Sequence, residues 1–260
     1  RLQPKVSLIE MLRHTDLAVI VMLLFSAVAY RESIASEQTY RYEARMAVLN
    51  AGILTLDFRR RPEGYEFLGG FETSRAMNKY YTWNGLFASK GAWQDGKPQT
   101  EAYLTLSKSS DDGYKVTVYG PRETRRMRKA SDPFETIPSP QGVDLIVALF
   151  LSPDCFDGPK VHDGEDDYEI RLLNRRTINV SAIQRYYSGP GIQCDYQVRD
   201  NKGRKRRIQI ILAEINGNTV AVVASIKIFL LPDPFFRLLM ADARPSESAE
   251  KSIATAAAGL

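Results

Sequence analysis

From Thr39 onward, apolar and polar side chains alternate along the chain. Tyr40, Tyr42, Ala44, Met46 and Val48 fall on one side of an extended segment, and Arg41, Glu43 and Arg45 on the other. A period of two is what a strand with one buried face requires. Asn50-Ala51-Gly52 then turns the chain into a second strand, Ile53 to Phe58, and Arg60-Arg61-Pro62-Glu63-Gly64 into a third, Tyr65 to Thr73. Gly69-Gly70 inside that third run predicts a bulge or sharp bend, the device that makes a sheet curl. Met77 to Phe87 reads as a strand with a helical start. Ala102 to Ser107 and Tyr114 to Tyr119 form a hairpin around Asp111-Asp112-Gly113. Further strands are predicted over Tyr168 to Leu173, Ile178 to Ile183, Gln193 to Arg199, Ile208 to Ile215 and Thr219 to Ile228. Asn216-Gly217 is the strongest turn signal, because both residues tolerate a positive φ.

One stretch breaks the alternation. Gly142 to Leu151 is apolar on nearly every side, follows Pro138-Ser139-Pro140 and stops at Ser152-Pro153, so it predicts a buried helix filling the concave side of a curved sheet. The expected fold class is therefore all-β and mainly antiparallel: a curled sheet, half-barrel or spiral β-barrel with one buried helix. It forms a single domain over residues 36–231. Residues 232–260 follow as a Ser/Ala-rich tail, expected to be disordered from about residue 243.

The N-terminus carries a different pattern. Arg13-His14 precedes the apolar run from Leu17 to Phe25, and Ala27-Val28-Ala29 supplies small residues at the right spacing for cleavage. Residues 1–35 thus read as a secretory signal peptide or a retained N-terminal anchor, placing the domain in a periplasm, free or held at the inner membrane. Export bears on Cys155 and Cys194. In an oxidising compartment two cysteines most simply form one disulfide; the competing reading leaves them as free thiols.

Composition narrows the chemistry. Hydrophobic residues at 44% and charged residues at 25% exclude global disorder. The net charge of +4 comes from clusters. Arg122, Arg125, Arg126, Arg128 and Lys129 form a basic strand or loop edge, and Arg204, Lys205, Arg206 and Arg207 lie at a hairpin base. Both are compatible with an anionic surface such as phospholipid or lipopolysaccharide phosphates, the ordinary alternative for the first being a guard against edge-to-edge aggregation, and export argues against nucleic acid. Tyr80, Tyr81, Trp83, Phe87 and Trp93 are the candidate ligand-face aromatics, with core packing as their ordinary alternative. Downstream of the signal segment His162 is the only histidine, no phosphate-binding loop or nucleophile elbow occurs, and no metal-ligand spacing exists. No cofactor, metal or catalytic residue is assigned. The acidic run Asp163-Gly164-Glu165-Asp166-Asp167 reads as a solvated turn.

The segments Tyr42-Glu43-Ala44, Lys90-Gly91-Ala92-Trp93, Gly96-Lys97-Pro98, Val161-His162-Asp163-Gly164 and Gly189-Pro190, with both cysteines, resemble an exported bacterial family catalogued as domain of unknown function 3108. The resemblance implies a β-rich envelope protein and agrees with a Cys155–Cys194 bridge; it supplies no activity. The functional expectation is a non-enzymatic envelope-maintenance protein binding an amphiphile or an envelope protein. The alternatives are an envelope hydrolase using carboxylates near Asp163 and His162, or a membrane-anchored structural domain.

Overall fold

The computed structural model describes residues 36–110, 113–183, 185–227 and 234–240. The predicted signal or anchor segment, residues 1–35, and the tail from residue 243 lie outside them. The alternation resolves into fifteen strands: β1 (Ser36–Met46), β2 (Leu49–Arg60), β3 (Gly64–Thr73), β4 (Trp83–Gln94), β5 (Lys97–Ser109), β6 (Gly113–Tyr119), β7 (Glu123–Met127), β8 (Glu135–Pro138), β9 (Val143–Asp144), β10 (Lys160–His162), β11 (Asp167–Val180), β12 (Gly189–Arg199), β13 (Lys205–Ile215), β14 (Asn218–Lys227) and β15 (Pro234–Leu238). Two-residue turns at Asp95-Gly96 and Asn216-Gly217 hold both residues at positive φ, as their chemistry predicts.

All fifteen strands form one sheet, in the order β8-β7-β6-β5-β4-β3-β2-β1-β15-β14-β13-β12-β11-β10-β9. Every pairing is antiparallel except that of β9 with β10, and the sheet does not close. Its two edge strands, β8 and β9, are nevertheless consecutive in the chain and joined only by residues 139–142. A short link between opposite edges forces the sheet to curl. The β9–β10 edge then lies against the inner face of β3 to β6, where Asp144 meets Tyr65, Ser89 and Thr100 and His162 stacks on Tyr119.

The inner face is the core. Tyr40 and Tyr42 of β1, Leu54, Leu56 and Phe58 of β2, Cys194 and Tyr196 of β12, and Ile210 and Leu212 of β13 are buried together. The expected helix is present only over residues 145–151 and consists mainly of a π-helical turn, Val147–Leu151, whose five residues are all buried. Val143 and Asp144 are drawn out of it by parallel pairing with Val161 and His162. Asp144 Oδ1 instead accepts the Val147 amide at 2.9 Å, starting the turn. Cys155 follows that turn and is bridged to Cys194, with Cα atoms 5.6 Å apart.

Three further differences from the sequence reading have local causes. The predicted strands Tyr168 to Leu173 and Ile178 to Ile183 merge into one strand, β11, which ends at Val180 short of Ile183, because a register shift between Leu172 and Asn174 absorbs the irregularity. The polar residues between them mark exposed positions of a continuing strand rather than a turn. The basic strand β7 is not the sheet's edge, since β8 pairs along it. And the domain does not end at residue 231: β15 lies between β1 and β14, pairing with both.

Candidate functional site

The strand directions sort the loops into two ends. The β1–β2 turn and the β3–β4, β5–β6, β7–β8, β10–β11 and β12–β13 connections share one end, here the upper one. On the inner face near this end, aromatic rings lie over glycines. A Cβ added at Gly52 would stand 2.7 Å from Cζ of Phe71, and one at Gly85 would stand 2.8 Å from Cη2 of Trp83 and 3.2 Å from Cζ of Phe87. Each missing side chain leaves room for a ring beside the strand. Phe71 contacts Trp83 (centroids 5.1 Å) and Phe236 (6.4 Å), and Trp83 contacts Phe87 (6.1 Å). Phe236 leads inward to Phe150 and then to buried Tyr42. Phe71, Trp83, Phe87 and Phe236 are only half-buried, so the cluster grades from solvent to core.

The five candidate aromatics therefore fall in three places. Trp83 and Phe87 belong to this cluster, whereas Tyr80 and Tyr81 are exposed on the β3–β4 loop. Trp93 sits at the opposite end of β4, its Nε1 donating to the Gly64 carbonyl at 2.9 Å with Arg60 over its ring. Phe71 and Phe236 were missed from sequence alone; the signal for Phe71 is its register opposite Gly85, with Gly52 diagonal to it on β2, readable only once β2, β3 and β4 are paired.

The basic residues divide similarly. Arg128 and Lys129 in the β7–β8 loop and Arg204, Lys205, Arg206 and Arg207 at the start of β13 lie at the upper end, all exposed. Arg122 is at the other end, and Arg125 lies over Phe134. Arg126 pairs with Glu165 at 2.6 Å, as do Lys115 at 2.6 Å and Arg128 at 3.4 Å. The acidic turn is thus not simply solvated, because Glu165 is clamped by three cations and ties the β10–β11 turn to β6 and β7. Asn201 donates to Asp166 from the other side at 3.0 Å. No group of three or more metal-ligating side chains occurs among the described residues.

Beneath this end lies a buried polar cluster. Asp144 Oδ2 accepts from Ser89 (2.8 Å), Thr100 (3.1 Å) and Tyr65 (3.2 Å). Full burial nevertheless holds its pKa above the ordinary carboxylate value, desolvation outweighing those donors. His162, its register partner on β10, has no solvent exposure and stacks on Tyr119 at 4.3 Å. Its Nδ1 accepts the Gly164 amide at 3.1 Å, so Nε2 carries the proton, and Nε2 has no hydrogen-bond partner among the described residues. Burial lowers its pKa to about 4, against the pull of Asp163 and Asp167. An imidazole shut away from solvent is not a base available to substrate, whereas Asp166 in the adjoining turn is exposed.

The burial has a pH consequence. Unfolding returns His162 to its ordinary value near 6.5, so between pH 6.5 and 4 the unfolded chain binds the extra proton. Its contribution is fully present above pH 6.5 and declines as pH falls toward 4, by about 3 kcal/mol in all. Asp144, with a raised pKa, acts in the opposite sense. Urea unfolding at pH 7 and pH 5 is expected to show the parent losing about 2 kcal/mol more than His162→Gln over that interval. Equal losses would show that His162 is not buried neutral. Comparison with known families, with curated proteins and with solved structures gives no match for this chain.

Proposed function

We propose that the domain is a non-enzymatic binding protein of a bacterial envelope that holds an anionic amphiphile at its upper end. The apolar chain lies on Phe71, Trp83, Phe87 and Phe236, and the head group lies among Arg128, Lys129, Lys205, Arg206 and Arg207. The observation that carries this reading is the half-exposed aromatic cluster laid over glycines at the end where cations gather. Aromatic rings offer broad apolar contact with little conformational freedom to lose, and arginine suits phosphate and carboxylate. The Cys155–Cys194 bridge supports a periplasmic location, as does the resemblance to the exported family of unknown function.

The test is mass spectrometry of the protein produced with its own N-terminus, first native and then denatured. An amphiphile that leaves on denaturation is expected. In Trp93→Phe protein, which leaves Trp83 as the single tryptophan, brominated fatty acid should quench the fluorescence, and Phe71→Ala should weaken that binding about tenfold. A protein that arrives empty and shows no quenching does not hold an amphiphile on this face.

A further inference from the structure

The β1–β2 turn is unlike the other two-residue turns of the sheet. Where Asp95-Gly96 and Asn216-Gly217 are polar, this turn is Ala47-Val48, flanked by Met46 and Leu49. Val48 is 83% exposed and Leu49 44%. The β3–β4 loop is fastened beside it, since the Ser74 amide donates to the Ala51 carbonyl at 3.0 Å and its hydroxyl to the Asn50 carbonyl at 2.6 Å. That loop presents Tyr80, 82% exposed, together with Tyr81. Residues 44–52 and 73–82 contain no aspartate or glutamate, and among the described residues Arg75 and Lys79 pair with no carboxylate.

We propose that this composite tip docks the domain onto the surface of a bilayer rich in anionic lipids. Val48, Leu49 and Met46 enter the head-group boundary, Tyr80 and Tyr81 lie at its level, and Arg75 and Lys79 meet lipid phosphates. Exposed aliphatic and tyrosine side chains backed by cations and free of acids match that interface. A second copy of the chain fits less well, because an isologous contact here would bring Arg75 and Lys79 toward their own symmetry mates. The surface adjoins the aromatic cluster but uses none of its side chains, and its test does not depend on a retained amphiphile.

The experiment is co-sedimentation of the full chain with vesicles of phosphatidylglycerol and phosphatidylethanolamine, or of phosphatidylcholine alone. Using the full chain throughout keeps the apolar N-terminal segment constant. Val48→Asp/Tyr80→Ser is expected to lower partitioning onto the anionic vesicles about tenfold, at unchanged far-ultraviolet circular dichroism and unfolding midpoint. Arg75→Glu/Lys79→Glu is expected to remove the preference for anionic over zwitterionic vesicles. Either variant partitioning like the parent on both vesicle types overturns the proposal. So does a concentration-dependent dimer that Val48→Asp abolishes, which would make the tip an interface between copies.

Discussion

Asp144→Ala is expected to destabilise the domain by about 4 kcal/mol, lowering its thermal midpoint by roughly 8–16 °C. Four donors converge on that carboxylate: the hydroxyls of Ser89, Thr100 and Tyr65 and the amide of Val147. Alanine leaves Ser89 and the Val147 amide without that acceptor and Tyr65 and Thr100 with only each other, and each unsatisfied group costs about 1–3 kcal/mol, not additively. The loss also removes a tie across the unclosed part of the sheet, because the three hydroxyls come from β3, β4 and β5 while Asp144 sits on the edge strand β9. Asp144→Asn should recover most of the stability. Its carbonyl still accepts the Val147 amide, and the hydroxyls rotate to accept from its nitrogen. Urea denaturation of the two variants beside the parent checks both statements. An alanine variant that loses less than about 1 kcal/mol would show that the sheet edges are held by packing alone.

Removing the disulfide should act on a comparable scale. Cys155 and Cys194 are 39 positions apart, and closing a loop of that size restricts the unfolded chain by about 4 kcal/mol in the chain-entropy account. Cys155→Ala/Cys194→Ala therefore lowers the midpoint by a similar 8–16 °C. Because Cys194 is fully buried, reductant alone should cleave the bond no faster than the domain opens. Thiol labelling with reductant present, with and without urea, measures this, and rapid reduction without urea would contradict it.

What the sequence disclosed was local. Asn216-Gly217 and Asp95-Gly96 mark their hairpins because their residues tolerate a positive φ, and alternation marks the faces of β2 and β3; in β1 it extends too far, because the chain turns at Ala47-Val48 rather than at Asn50-Ala51-Gly52, leaving Met46 and Val48 exposed and Glu43 buried. Non-local facts were hidden. Asp144 is one carboxylate in an apolar run, and its role depends on three hydroxyls distant in sequence that share nothing with it until the sheet curls. The same run reads as a longer helix because apolar residues cannot announce that Val143 will pair with Val161. Pro232-Asp233-Pro234 looks like the end of a domain, and the apolar Phe235 and Phe236 beyond it gain meaning only from Arg45, Ala44 and Ala224 opposite them. Of the candidate site, the cations and Trp83 with Phe87 were legible as residue types. Their convergence at one end, and the burial of His162, were not.

The placement of β15 has a temporal consequence. Strands β1 to β8 form a run of neighbours in chain order, and β14 back to β9 form a second, and among the described residues the strand ladders of the two runs are joined through β15. Until Pro234–Leu238 has emerged, β1 and β14 each present an unsatisfied flank, open to pairing with other chains. Native pairing along those flanks must therefore wait until β15 has been made. The long sequence separation between β1 and β15 makes that final zippering slow.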